Sequence, residues 1–242
     1  TTQASFSVDG VVFSGFYSKG LNGNIIFSDN YHKALFSISR CRFHAYASHE
    51  GSIWTGNASV FTLSDSRFSC AYSFRNAGVN IRTGATVSRC VFESIFGEGP
   101  LRANALFFHA GNAASTVTDT TFARVVKRTY INDNYGGPAA VVGGEQANTR
   151  KVFHSCVVSN CFAGVTSGAP EGAMPIVSPN AGLWVFERCR FSRNAGTCRT
   201  MNGRTYTLFG VQAKRASGDA FFNGCVFDGN SIVSTHTSAK ID

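Results

Sequence analysis

Apolar residues recur at fixed offsets from a short motif that is clearest at Phe186-Glu187-Arg188-Cys189-Arg190-Phe191. With Cys189 as position 0, its equivalents along the chain are Val11, Cys41, Ser66, Cys90, Thr120, Cys156 and Cys225. Position +2 holds Phe13, Phe43, Phe68, Phe92, Phe122, Val158, Phe191 and Phe227. Position −3 holds Val8, Ile38, Leu63, Val87, Val117, Phe153, Phe186 and Phe222. Position +1 is variable, with Arg42, Arg67, Thr121 and Arg190 among valines. In-out-in over 0, +1 and +2 is the alternation of a strand with one face inward. The step of three from −3 to 0 keeps both residues inward only if the backbone bends between them. Position −2 holds Asp9, Ser39, Ser64, Ser88, Thr118, His154, Glu187 and Asn223. Most of these are turn formers and are expected to supply the bend.

A second short strand is predicted upstream of each later motif: Ile25-Ile26-Phe27, Ile53-Trp54, Val79-Asn80-Ile81, Leu106-Phe107-Phe108, Ala140-Val141-Val142, Ile176-Val177 and Leu208-Phe209. Successive +2 residues are 24 to 36 positions apart. A period in that range signals a solenoid, a propeller or an array. The variable loop lengths argue against propeller blades. The expected fold is all-β: one parallel β-helix over residues 1–242, of about eight coils and roughly 40 Å long at the usual strand spacing. It is expected to be open-ended, as one segment of a longer chain or assembly.

Two further columns bear on this. Position −1 runs Arg40, Asp65, Arg89, Asp119 in successive repeats. Stacked strands would set these alternating charges side by side, a favourable arrangement. The alternation stops at Ser155, Arg188 and Gly224. Position +5 holds Phe16, Tyr46, Ala71, Ile95, Val125 and Cys161, which are expected in the core, then Asn194 and Asn230, expected as an amide stack.

Of the eight cysteines, Cys41, Cys90, Cys156, Cys189 and Cys225 occupy position 0. With Phe43, Phe68, Phe92, Phe122, Phe191 and Phe227 they are predicted to form an inward core ladder of free thiols. Parallel neighbours lie slightly beyond disulfide reach, although one strained bridge among Cys156, Cys189 and Cys225 is the alternative. Cys70, Cys161 and Cys198 fall outside the column and could pair through loops. There is no Cys-x-x-Cys pair, so structural zinc is not expected.

The net charge of +8 is concentrated in residues 122–242. It favours anionic partners such as acidic glycans; a nucleic-acid partner is not expected. No apolar run is long enough for a transmembrane helix, and no basic-then-apolar leader opens the sequence.

Candidate chemistry is sparse. The acidic residues are scattered, and Asp65 and Asp119 share a column with Arg89 between them, the pattern of a surface salt bridge. His44 and His49 lack the spacing of a zinc protease. Gly164-Val165-Thr166-Ser167-Gly168 is not a nucleophile elbow, and no phosphate-binding glycine loop occurs. No catalytic residue, metal or cofactor is expected. Insertions in a solenoid often form a binding face, and the longest here lie in the basic half. Lys127, Arg128, Tyr130, Tyr135, Arg199, Arg204 and Tyr206 are therefore the candidate contacts for a glycan or another anionic partner.

The repeat resembles the right-handed parallel β-helix, pectin-lyase-like superfamily, which includes pectate lyases, phage tailspikes and autotransporter passengers. Cys-x-Phe followed by Phe191-Ser192-Arg193-Asn194 and Phe227-Asp228-Gly229-Asn230 resembles the repeats of polymorphic outer-membrane proteins. That resemblance implies surface adhesion. The leading expectation is a non-enzymatic structural or adhesive module of an extracellular or cell-surface assembly. It would bind protein partners, or itself, through uncapped ends, since terminal repeats need covers. The alternatives are a β-helix that binds or cleaves acidic polysaccharides, and a scaffold within an intracellular complex.

Overall fold

A computed structural model describes residues 5–18, 24–27, 34–49, 51–56, 60–73, 78–98, 103–109, 113–129, 139–144, 149–165, 172–173, 176–178, 181–199, 205–206, 208–209, 217–234 and 240–241. These residues form strands, turns and bends, and no helix. The strands are short and almost all parallel. From Ser5 to Gly144 the chain visits three sheets in strict rotation, returning to each one strand further along. The first sheet has eight strands, from Ser5–Asp9 to Ser217–Asn223. A sheet of twelve strands carries the motif residues from +1 onward, and one of six carries the upstream strands. This is all-β architecture of long parallel sheets, compatible with a solenoid.

The pairing keeps the sequence columns in register. Val8 pairs with Ile38 and Ile38 with Leu63; Phe43 pairs with Phe68, and Phe68 with Phe92. Equivalent residues therefore stack one strand apart, at about 4.8 Å. Rings at +2 lie face to face: Phe43 on Phe68 and Phe68 on Phe92 at 4.6 Å, and Phe92 on Phe122 at 5.3 Å. Val158 interrupts the column, and Phe191 and Phe227 resume it at 4.9 Å. Each of Phe43, Phe68, Phe92 and Phe122 is fully buried, a contribution of about 1.5–3 kcal/mol apiece before entropy.

The bend lies one residue later than the sequence implied. Among the described residues, twelve non-glycine residues have positive φ, and every one falls in one of two columns. Arg40, Asp65, Arg89, Asp119, Ser155 and Arg188 occupy position −1, with Gly10 and Gly224 completing it. Ala45, Cys70, Ser94, Arg124, Asn160 and Arg193 occupy position +4, with Gly15 and Gly229. A left-handed residue reverses the pleat locally, so −3 and 0 both face inward, as do +2 and +5. Position −2 stays in the strand and points outward.

The turn at −1 also leaves the backbone N–H of position 0 directed at the next strand, where a side chain accepts it. Cys41 N–H donates to Ser66 Oγ at 3.0 Å and Cys90 N–H to Thr120 Oγ1 at 3.4 Å. Sulfur serves as the acceptor elsewhere: Thr120 N–H reaches Cys156, and Cys156 N–H reaches Cys189. Position +5 repeats the device, with Cys161 N–H on Asn194 Oδ1 and Asn194 N–H on Asn230 Oδ1, both at 3.0 Å. This explains why position 0 is Cys, Ser or Thr instead of a larger apolar residue: a buried donor must be answered.

Several expectations need correcting. Phe16, expected in the core, is exposed, and so is Phe227 at 48 %, while Cys225 is half-buried. All three belong to the first or last of the described repeats, where no further described repeat covers them. Cys161 is buried and belongs to the +5 column, whereas Cys70 is exposed. Both are free thiols, as are Cys41, Cys90, Cys156, Cys189 and Cys225.

Candidate functional site

Of the predicted contact residues, Lys127 and Arg128 have described side chains. Lys127 is fully buried at position +7, in a column with Ser18, Ser48, Ser73, Gly97, Ala163, Gly196 and Ile232. It is a core residue and not a surface contact. Arg128 is exposed, with its guanidinium 5.7 Å from the ring centre of Phe162. The backbone of Arg199 pairs with Gly172 and that of Tyr206 with Ile241. Tyr130, Tyr135 and Arg204 lie outside the described residues.

A second buried amine has no counterpart in the sequence expectations. Lys151, at position −5, sits between Ser115 and Trp184 in the eight-stranded sheet. Its Nζ lies 5.6 Å from the ring centres of both Phe108 and Trp184 and donates to Thr149 Oγ1 at 2.7 Å. Burial lowers its pKa to about 8. Burial likewise pushes the Cys90 thiol up to about 11 and Cys161 to about 12. Cys156 is raised by its hydrogen bond with Cys189 and by burial. These thiols are held protonated and hydrogen-bond backbone carbonyls, for example Cys90 Sγ to Ser88 O at 3.3 Å.

Several surface charges of the first five repeats are paired between neighbouring repeats. Arg40 bridges Asp9, and Arg89 bridges Asp65 at 2.7 Å. The guanidinium hydrogen bonds hold both aspartates below the usual carboxylate range. On the neighbouring sheet Glu93 takes both Arg67 and Arg124.

The outer face of the eight-stranded sheet changes character part-way along. Its first five strands present small hydroxyls in register at position −4, from Ser7 and Ser37 to Thr62, Thr86 and Thr116. Position −2 beside them runs Asp9, Ser39, Ser64, Ser88, Thr118. On the last three strands the same ranks become Val152, Val185, Phe221 and His154, Glu187, Asn223. Two depressions open there. One, of about 330 Å³, is lined by His154, Glu187, Arg188, Asn223 and Gly224. The other, of about 470 Å³, is lined by Leu183, Val185, Phe221, Phe222 and Asn223. Asn223 belongs to both, so a polar hollow and an apolar shelf meet at one side chain.

Sequence reasoning passed over this site, although its marker was visible. The charge alternation breaks at Ser155 and Arg188, on the repeats where the hollow forms. Among the described residues no ion pair engages Glu187 or Arg188, and no three or more His, Cys, Asp or Glu side chains are grouped to hold a metal ion. No described helix is long and apolar enough to cross a membrane. No protein-family model, curated protein or solved structure matches this chain.

Proposed function

We propose that the chain is a right-handed parallel β-helix of about eight coils, one for each strand of the longest continuous ladder. We further propose that it serves as a non-enzymatic structural or adhesive module of an extracellular or cell-surface assembly. The hand follows from the strong preference for right-handed crossovers between parallel strands.

The observation that carries the role is the apolar surface on the outermost strands. Phe6, Val12 at 63 % and Tyr17 at 68 % are exposed at one extreme; Phe221, Val226, Phe227 and Val233 are exposed at the other. Side chains of this kind beside open strand edges form a template for pairing with another protein surface. The reading is that protein covers these edges when the module is in place.

Sedimentation velocity over a wide concentration range tests it. Self-association or capture of a further β-segment is expected, and Val12→Lys or Phe227→Lys should weaken it. A monomer at every concentration, indifferent to added flanking sequence and to both substitutions, would overturn it.

A further inference from the structure

We propose that the joined depressions on the last three strands of the eight-stranded sheet form a carbohydrate site, taking one neutral pyranose unit of a glycan. This goes beyond the end-contact reading and does not depend on it: the two share Phe221 on the outermost strand, but the site faces outward across three strands, and His154 and Glu187 lie on the two strands inside the edge.

Three outward carboxylates of the earlier repeats are answered locally. Asp9, Asp65 and Glu93 are each neutralised by an arginine on a neighbouring repeat. Glu187 and Arg188 instead line a hollow with His154 and Asn223, and no described residue forms an ion pair with either. The register holds His154, Glu187 and Asn223 in one line across three strands. Their functional groups are thus presented about 5 Å apart. The backbone fixes the frame: Ser155 N–H donates to Glu187 O at 2.9 Å and Arg188 N–H to Asn223 O at 2.8 Å. Ser155 Oγ lies 3.0 Å from His154 Nδ1, which occupies that ring nitrogen and leaves Nε2 for a ligand.

The chemistry of the two halves fits a sugar. A pyranose carries hydroxyls that both donate and accept around its rim, and a less polar C–H face. The hollow offers a carboxylate acceptor at Glu187, a guanidinium donor at Arg188, and an amide that does both at Asn223. The shelf offers Leu183, Val185 and the half-exposed Phe221 ring for the C–H face. A largely apolar wall with a few convergent polar groups is the usual make-up of a small-molecule site. One negative and one positive side chain balance within the hollow, so a neutral sugar fits better than an anionic one, which would face Glu187.

Saturation-transfer NMR and calorimetry on the full chain would test this with methyl glycosides of glucose, galactose, mannose and N-acetylglucosamine, and with galacturonic acid. At least one neutral glycoside should bind weakly. Glu187→Gln, which replaces a charged acceptor oxygen by an amide donor, and Asn223→Ala, which removes the amide, should each reduce its affinity by about tenfold. Phe221→Ala should also weaken it, and Thr86→Val, on the same outer face four strands away, should leave it unchanged. Urea unfolding curves show whether each variant still folds, and all four sites are on the surface. No binding by any neutral glycoside, binding unaffected by the three site variants, or a clear preference for galacturonic acid would each overturn the assignment. Glu187→Gln separates the two readings, since Glu187 is no part of the apolar end: it should weaken glycoside binding and leave end association, read by sedimentation, unchanged.

Discussion

The backbone N–H of Cys41 donates to the hydroxyl of Ser66 at 3.0 Å, across a strand boundary and 25 residues of sequence. Ser66 Oγ in turn donates to Ser64 O at 2.8 Å. Removing the hydroxyl strands a buried donor in the preceding repeat. Ser66→Ala should therefore lower stability by about 1–3 kcal/mol, the cost of an unanswered buried polar group. Ser66→Cys, which matches the other repeats, should cost less. Urea unfolding midpoints check both, and equal effects would contradict the ladder.

The two left-handed columns respond to side-chain shape. Ala45 sits at φ 49. A β-branched residue there meets both the left-handed penalty and χ1 crowding. Ala45 already bears the Cβ penalty, so Ala45→Val should lower stability through the added χ1 crowding, whereas Ala45→Gly, which relieves the Cβ contact but adds unfolded-state entropy, should be nearly neutral. Thermal unfolding of the two variants makes the comparison.

Lys151 gives the molecule a pH dependence of definite sign. Its pKa is depressed to about 8 in the fold and returns to about 10.4 in the unfolded chain. Between these values the unfolded state binds more protons, so stability rises with pH. The gain is about 3 kcal/mol at most, and it is absent below pH 8, where both states are charged. Lys151→Met should flatten the rise between pH 8 and 10.5 and raise stability at neutral pH. Chemical denaturation at a series of pH values reads both effects.

Thiol reactivity should separate one cysteine from the others. Cys70 is exposed in the +4 column, and Cys225 is half-buried. Cys41, Cys90, Cys156, Cys161 and Cys189 are buried. Maleimide labelling of the native protein followed by peptide mapping should find Cys70 modified first, Cys225 more slowly, and the five buried thiols only on unfolding. Rapid labelling of Cys90 in the native state would contradict the packing.

The inward columns were legible because burial imposes one residue type repeatedly: seven phenylalanines at +2 cannot be mistaken. The bend at −1 was harder to read. A left-handed position usually announces itself as glycine, yet here Arg, Asp and Ser fill most of it. Lys127 misled because a lysine in a basic stretch looks solvent-facing. Only its offset of +7, shared with Ser48, Ser73 and Gly97, places it inside. Lys151 at −5 escaped for the same reason. The outer-face hollow at Glu187 and Asn223 was not legible as a site because exterior ranks are not constrained to repeat. It takes the register to bring His154, Glu187 and Asn223 together from positions 33 and 36 residues apart.

The donor-to-next-strand direction of the position-0 bonds makes inheritance along this chain one-sided. A substitution at position 0 is felt by the repeat before it, and Val11, which no described repeat precedes, is the one member of the column whose side chain has no polar atom. Any repeat that ends in a left-handed corner and carries Cys, Ser or Thr after it can serve as the acceptor for any other. Equivalent corners thus offer interchangeable joints, and the interior rule does not depend on how many repeats are joined.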